Sequence, residues 1–217
     1  MLVIALDTST PAVTAGLVAL DEGGPRSLAE RVTINPRAHG ELLMPQLLDV
    51  MTEAGHELAD ADAIVVGSGP GPFTGLRVGM VTAAALGQAI GRPVHPVCSL
   101  DAIAAQADVT GQLLVATDAR RKEAYWATYS GRTRIDGPHV LRPADVPTEG
   151  CTAVAGELAE AFDLPVIEPR YPAPVGLVAA AADALDAEPA PLVPLYLRRP
   201  DAELPGKRKS VLTRGAR

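Results

Sequence analysis

Aromatic residues make up only 3% of the 217-residue chain, and Trp126 is the sole tryptophan. That scarcity leaves little material for the stacking platforms on which single-stranded nucleic acids are held. Cysteine is nearly absent too: Cys98 and Cys151 lie far apart without a C-x-x-C, which points to a reduced, cytoplasmic setting. The chain opens on an apolar strand instead of a signal peptide, and no apolar stretch reads as both long and unbroken enough to cross a membrane. Lysine is the scarcest charge, with Lys122 the only one before position 207. What remains is ordinary globular composition, 47% hydrophobic and 21% charged, enough for one large domain or two small lobes.

The formal charge of −7 is unevenly spread. Of 19 basic and 26 acidic residues, the last twenty positions carry seven and two, which leaves 12 against 24, or −12, for residues 1–197. The body should repel nucleic acid. The basic tail (Arg198, Arg199, Lys207, Arg208, Lys209, Arg214 and Arg217) reads either as a solvated terminus or as a contact for RNA phosphates.

The most informative stretch is Gly67-Ser-Gly-Pro-Gly-Pro-Phe-Thr-Gly-Leu-Arg-Val-Gly79, set between the apolar run Ala63-Ile-Val-Val66 and a small-residue helix. It is a poor phosphate cradle. Pro70 and Pro72 each delete an amide donor, no Gly-Lys-Ser/Thr follows, and the glycine spacing fails the dinucleotide fingerprint. As a stiff turn against a partner or within the fold it reads better, with Thr74 as the helix cap. Gly75, Gly79, Ala83 and Gly87 recur every four residues and form one smooth ridge, suited either to packing inside the chain or to a subunit contact.

In chain order, Leu2–Leu6 is a buried-strand run ending in the polar turn Asp7-Thr-Ser-Thr10, followed by strands near 13–20 and 27–34. A helix near 40–54 carries a wider apolar arc than one sheet-facing stripe needs, so part of it should remain for a partner, and Pro45 should sit near its first turn or bend it. His39 reads as a cap or an exposed residue. Further on come a strand near 92–97, an alanine-rich helix near 100–107 and a lobe boundary at Asp108-Val-Thr-Gly111. Strand 113–117, turn Asp118-Ala-Arg-Arg-Lys122 and strand 123–129 then repeat the strand, acidic turn, strand unit of the start. The remainder reads as a strand at 151–155, a helix near 157–162, a strand near 165–167 and a helix near 175–187.

Asp7-Thr-Ser-Thr10, His39 with Leu42 and Leu43-Met-Pro45, Gly69-Pro-Gly71-Pro-Phe-Thr-Gly-Leu-Arg77, Asp118-Ala-Arg-Arg-Lys-Glu123 with Tyr125-Trp126, and Tyr196-Leu-Arg198 together resemble the TsaB family. These motifs span nearly the whole chain in the expected order. The resemblance implies an α/β, duplicated fold of the actin, sugar kinase and Hsp70 type (ribonuclease H-like), with two lobes that each carry a mixed sheet and helices. Residues 1–107 would form the N-terminal lobe with the partner-binding helices, and 108–217 a smaller C-terminal lobe plus the basic tail.

It further implies a non-catalytic scaffold role beside the paralogue TsaD and the ATPase TsaE in making threonylcarbamoyladenosine next to the anticodon of transfer RNAs reading ANN codons. On that resemblance the partner-binding residues are His39, Leu42, Leu43, Gln46, Val50, Arg77, Val78, Met80, Val81 and Ala84. Asp7, Thr8, Gly69, Gly71 and Asp118 are candidate relic nucleotide loops, with turn closure by the two aspartates as the structural alternative. Where the paralogue reads Asn-His-Leu-x-Gly-His, this chain has Cys98-Ser-Leu-Asp-Ala-Ile103, so Ser99 and Ile103 stand where two histidines would hold a metal. No metal and no cofactor are therefore expected on this chain; ATP, Mg²⁺ and a TsaD-bound metal would serve the complex. A homodimer in isolation, transfer RNA reached through the complex, and no membrane complete the expected partners. An ATP-dependent small-molecule kinase of the same fold, or a hydrolase, are the alternatives.

Overall fold

The computed structural model describes residues 1–198. The basic stretch from Arg199 onward, and any contact it makes with RNA, lies outside the described residues.

Leu2-Val-Ile-Ala-Leu-Asp7 is an unbroken apolar run because both of its faces are covered. It forms β1 (Leu2–Asp7), the middle of a five-stranded sheet ordered β3-β2-β1-β4-β5. β2 (Ala12–Asp21) and β3 (Gly24–Ile34) join it as an antiparallel meander. β4 (Ala63–Gly67) and β5 (Val94–Val97) extend the other side in parallel, each reached through a helix or a helix pair, as parallel pairing requires. A second sheet, β8-β7-β6-β9, repeats the first four places. β6 (Gln112–Asp118) pairs antiparallel with β7 (Ala124–Ser130), β7 with β8 (Thr133–Leu141), and β6 in parallel with β9 (Cys151–Ala155). The two acidic turns thus sit at the same topological point, where the first strand of each sheet ends.

One face of the first sheet carries α1 (His39–Ala54) and α2 (Phe73–Ile90). Ile4, Leu6, Ile64 and Val66 meet Leu43, Leu47, Val50, Leu76, Met80 and Ala83 there. Each such large side chain withdrawn from water contributes about 1.5–3 kcal/mol. The opposite face holds α4 (Pro174–Ala181), whose Leu177, Val178 and Ala181 pack on Val3, Ala5 and Val65. α3 (Ser99–Gln106) joins the sheets: its Ala102 belongs to that cluster, while Leu100, Ile103 and Ala104 pack on Leu113, Val115 and Tyr129 of the second sheet.

The glycine ridge of α2 is spent inside the chain. A Cβ on Gly75 would stand 2.7 Å from the Thr8 carbonyl oxygen, one on Gly79 2.5 Å from Thr8 Oγ1, and one on Gly87 2.4 Å from Val94 Cγ2. The helix therefore lies directly on the β1 turn and the sheet.

Several local expectations need correction. Thr74 is not the cap of α2; Pro72 occupies that position and Thr74 follows Phe73 inside the helix. Pro45 lies within α1 rather than in its first turn, and His39 is the first helical residue. The helix near 157–162 is one 3₁₀ turn, Ala159–Ala161, and the strand near 165–167 is a single bridge from Val166 to Val154. The last helix ends at Ala181 and tightens into the 3₁₀ turn Ala182–Ala184. β8 was not expected at all. Finally, α2 is long and apolar enough to span a membrane by length and composition, contrary to the sequence reading, but its Leu76, Met80, Ala83 and Leu86 are buried.

Candidate functional site

The first acidic turn and the glycine-rich loop form one interlocked unit. Asp7 Oδ1 accepts the Ser9 backbone N–H and the Ser9 hydroxyl, both at 2.8 Å, and Asp7 Oδ2 accepts the Ser99 hydroxyl at 2.6 Å. The carboxylate is 1% exposed, and a Cβ on Gly67 would fall 1.7 Å from Oδ2. Burial raises its pKa above the ordinary value, opposed by the hydrogen bonds from Ser99 and Ser9 and by the nearby His39. Thr8 Oγ1 donates to the Gly75 carbonyl at 2.7 Å and accepts from the Gly79 N–H at 2.9 Å, which pins the turn to α2. Gly71 packs so closely that a Cβ would sit 2.1 Å from the Ser9 carbonyl oxygen, and Gly69 is buried at φ +95°. His39 Nε2 lies 2.8 Å from the Thr10 carbonyl oxygen and ties α1 to the same turn.

Space beside this unit is small. A cavity of about 160 Å³ is bordered by Thr8, Thr10, His39, Thr74, Gly75 and Arg120. It falls below the roughly 300–1,000 Å³ of ordinary small-molecule sites. Arg120 arrives from the second acidic turn, where Asp118 Oδ1 accepts the Arg120 N–H at 2.8 Å and closes its own loop. Arg120, Arg121 and Lys122 all adopt left-handed conformations, with φ of 64°, 52° and 63°. The Asp118 N–H points at Glu157 Oε2 at 3.4 Å, and Glu157 is pushed upward in pKa chiefly by burial.

The hydroxyls and the thiol nearest this turn are already engaged or held protonated. Ser99 is spent on Asp7, Ser68 donates to the Val97 carbonyl at 2.9 Å, and the buried Cys98 thiol is pushed up to about 12 by desolvation and the charge of Asp101. Ile103 is fully buried in the core beneath the second sheet. Among the described residues no group of three or more His, Cys, Asp or Glu side chains has the geometry of a metal site.

The surface nominated for a partner divides in two. Leu43, Val50 and Met80 are core residues and cannot also present a docking face; Gln46 is buried as well, donating to Thr33 Oγ1 at 2.6 Å. His39, Leu42 and Val78 are half-buried, while Arg77, Val81 and Ala84 are exposed, Val81 by 65%. The sequence missed Leu48, which is 49% exposed one turn beyond the half-buried Met44. Since α1 and α2 pack on the same sheet face, these residues look outward together. The sequence also missed a cluster at the start of α2: the Phe73 and Tyr196 rings stack at 5.3 Å, the Arg77 guanidinium lies 3.8 Å over Phe73, and Arg77 Nε donates to the Tyr196 hydroxyl at 2.8 Å. Only the folded chain brings residues this far apart in sequence into one stack.

Two sheets of like topology, joined through α3 and carrying acidic turns at equivalent ends, define a duplicated actin-like α/β protein. The family model described as TsaD, tRNA N6-adenosine threonylcarbamoyltransferase, matches residues 30–168. An uncharacterized protein of Mycobacterium tuberculosis is 55% identical over 205 residues, covering 93% of each chain. The TsaB protein of Escherichia coli, named for tRNA threonylcarbamoyladenosine biosynthesis, is 35% identical over 132 residues, or 59% of this chain and 55% of that one. The chain likewise spans 56% of the length of an uncharacterized Mycobacterium leprae relative. The solved structure of YeaZ from Pseudomonas aeruginosa superposes with a TM-score of 0.74 at 29% identity, over 90% of this chain and 99% of that one. The chain belongs to the TsaB family.

Proposed function

We propose that this chain serves threonylcarbamoyladenosine formation in transfer RNA as a non-catalytic subunit that binds and supports a TsaD partner, with TsaE joining the assembly. The observation that carries the reading is the filled first acidic turn: both Asp7 oxygens accept hydrogen bonds from Ser9 and Ser99, and Gly67 packs directly against the carboxylate. Ser99 and Ile103, at the positions where the paralogue's motif has histidines, are bound to Asp7 and buried in the core respectively. In contrast, the outward sides of α1 and α2 leave Leu48, Val81 and the half-buried Leu42 and Met44 available to a partner. Without that partner the same face joins two copies of the chain. ATP, Mg²⁺ and metal chemistry belong to the other subunits, and transfer RNA is reached through them.

The test is reconstitution of threonylcarbamoyl transfer to an ANN-reading transfer RNA with TsaD and TsaE, with and without this chain. Modification only in the complete mixture, and none from this chain with ATP, supports the reading. Equal modification without the chain overturns it.

A further inference from the structure

The last described stretch, residues 192–198, belongs to no helix or strand, yet it touches both halves of the molecule. Leu192 packs on the core of the first sheet, and Leu195 and Leu197 pack on that of the second. Pro191 and Pro194 fix their own φ, and the Val193 and Tyr196 N–H groups turn back onto the carbonyls of those prolines at 2.8 and 3.0 Å. The stretch is therefore a stiff strap, short enough to transmit a displacement from one end to the other.

It is fastened at two points. On the first half, the Leu195 N–H donates to the Ser68 carbonyl at 2.8 Å, and Tyr196 stacks on Phe73 and accepts from Arg77 at the start of α2. On the second half, Arg198 brackets the second acidic turn: Nη1 donates to the Ala119 carbonyl at 2.6 Å, and Nη2 lies 3.2 Å from Glu123 Oε2. Between Ala119 and Glu123 lie Arg120, Arg121 and Lys122, all left-handed. That conformation presses Cβ against the following carbonyl, and three such residues in a row persist only where the surroundings hold them. The Ala119 N–H closes the base of the turn on the Glu123 carbonyl at 2.9 Å, and the Arg198 side chain, only 20% exposed, grips the same two residues.

We propose that residues 192–198 act as a clasp on the second acidic turn, with the Tyr196 stack as the latch and Arg198 as the clamp. Latched, the strap keeps the turn strained and Arg120 at the border of the cavity beside Thr8 and His39. Freed at Tyr196, Arg198 loses the support two residues before it, its grip on Ala119 and Glu123 loosens, and the turn relaxes and carries Arg120 away from the cavity. The latch is the end that another molecule can reach, because Phe73 is 48% exposed and Tyr196 41%. A molecule that takes Phe73 or Arg77 away from Tyr196 alters the opposite half without touching it. The coupling is reciprocal, so a ligand that fixes Arg120 tightens the latch.

The turn carries three adjacent trypsin sites, so limited digestion of the full chain reads its opening through fragments that end at Arg120, Arg121 or Lys122, followed by mass spectrometry. The reference is cleavage after the exposed Arg26 and Arg132, one on each sheet, which a general loss of stability would raise as well. Tyr196→Ala and Phe73→Ala cut the latch from its two sides and leave Arg198 in place. Each is expected to raise cleavage in the turn by about tenfold or more relative to the reference sites. Arg198→Gln should give the same rise, and the double variant Tyr196→Ala with Arg198→Gln no more than either alone, since a strap cut at one end is already released. An unchanged ratio in the latch variants, or a double-variant effect equal to the product of the single ones, overturns the proposal. The two latch variants are independent, so one decides where circular dichroism shows the other unfolded.

Discussion

A single hydroxyl, that of Ser99, takes up the Asp7 oxygen that Ser9 leaves free. Removing one acceptor from such a buried set leaves donors stranded, and filling the space beside it forces the backbone apart. Gly71→Ala, whose new Cβ would stand 2.1 Å from a carbonyl oxygen, is expected to cost about 2 kcal/mol or more, read as a lower urea midpoint. A midpoint equal to that of the unaltered chain would show that the loop and turn are not locked together. Lys122, at φ 63°, gives the opposite sign: Lys122→Gly relieves left-handed strain of about 1–2 kcal/mol against a backbone-entropy cost of about 0.5–1, and should raise stability slightly. His95 sets a pH dependence. Its folded pKa is depressed by burial, so the unfolded chain takes up the proton first as pH falls below 6.5. The stability it contributes is full above that value and is lost as pH falls toward the folded pKa. His95→Gln should flatten the fall in urea midpoint between about pH 7 and 5; an unchanged slope would assign it to other groups.

At the scale of elements, α1 and α2 combine a buried and an outward side, and substitutions should separate them. Met80→Asp, at a position 5% exposed, places a charge in the core and should unfold the chain. Val81→Asp and Leu48→Asp should leave the circular dichroism spectrum intact and weaken self-association and TsaD binding by about tenfold or more, seen by sedimentation. Unchanged association in both would remove this face as the interface. These contrasts also mark what was legible beforehand. β1, β2 and β4 were readable because strands covered on both faces are continuous apolar runs, and α1 because its apolar arc repeats with helical period. Which leucine faced inward was not, since Leu42, Leu43, Leu47 and Leu48 are alike in composition and only the sheet decides among them. β8 escaped because its exposed positions, Thr133 to Asp136, carry no alternation. The glycine ridge was visible, but the partner it meets, Thr8, lies about seventy residues earlier. A separation of 92 residues hid Ser99 from Asp7 in the same way.

The whole molecule is held as one body by elements that cross between its halves. α3 touches both sheets, α4 returns from beyond the second sheet to cover the first, Thr14 Oγ1 donates to the Pro172 carbonyl at 2.9 Å, and Leu195 donates its N–H to the Ser68 carbonyl at 2.8 Å. Unfolding should therefore be a single cooperative event. Trp126, buried in the second sheet, provides the check: its fluorescence transition in urea should coincide with that of far-UV circular dichroism. Two separated transitions would mean that the sheets unfold independently.

The lock on Asp7 also bears on how readily such a protein changes its trade. Replacing Ser99 alone leaves the carboxylate buried and one acceptor short of a partner; replacing Ser9 alone leaves Ser99 still bound; and neither step opens the space that Gly67 and Gly71 keep filled with neighbouring backbone and carboxylate. A ligand-binding acidic turn is thus separated from this one by several substitutions that each lower stability before any of them yields an activity. Selection acting one mutation at a time meets a barrier there, so the turn behaves as a ratchet.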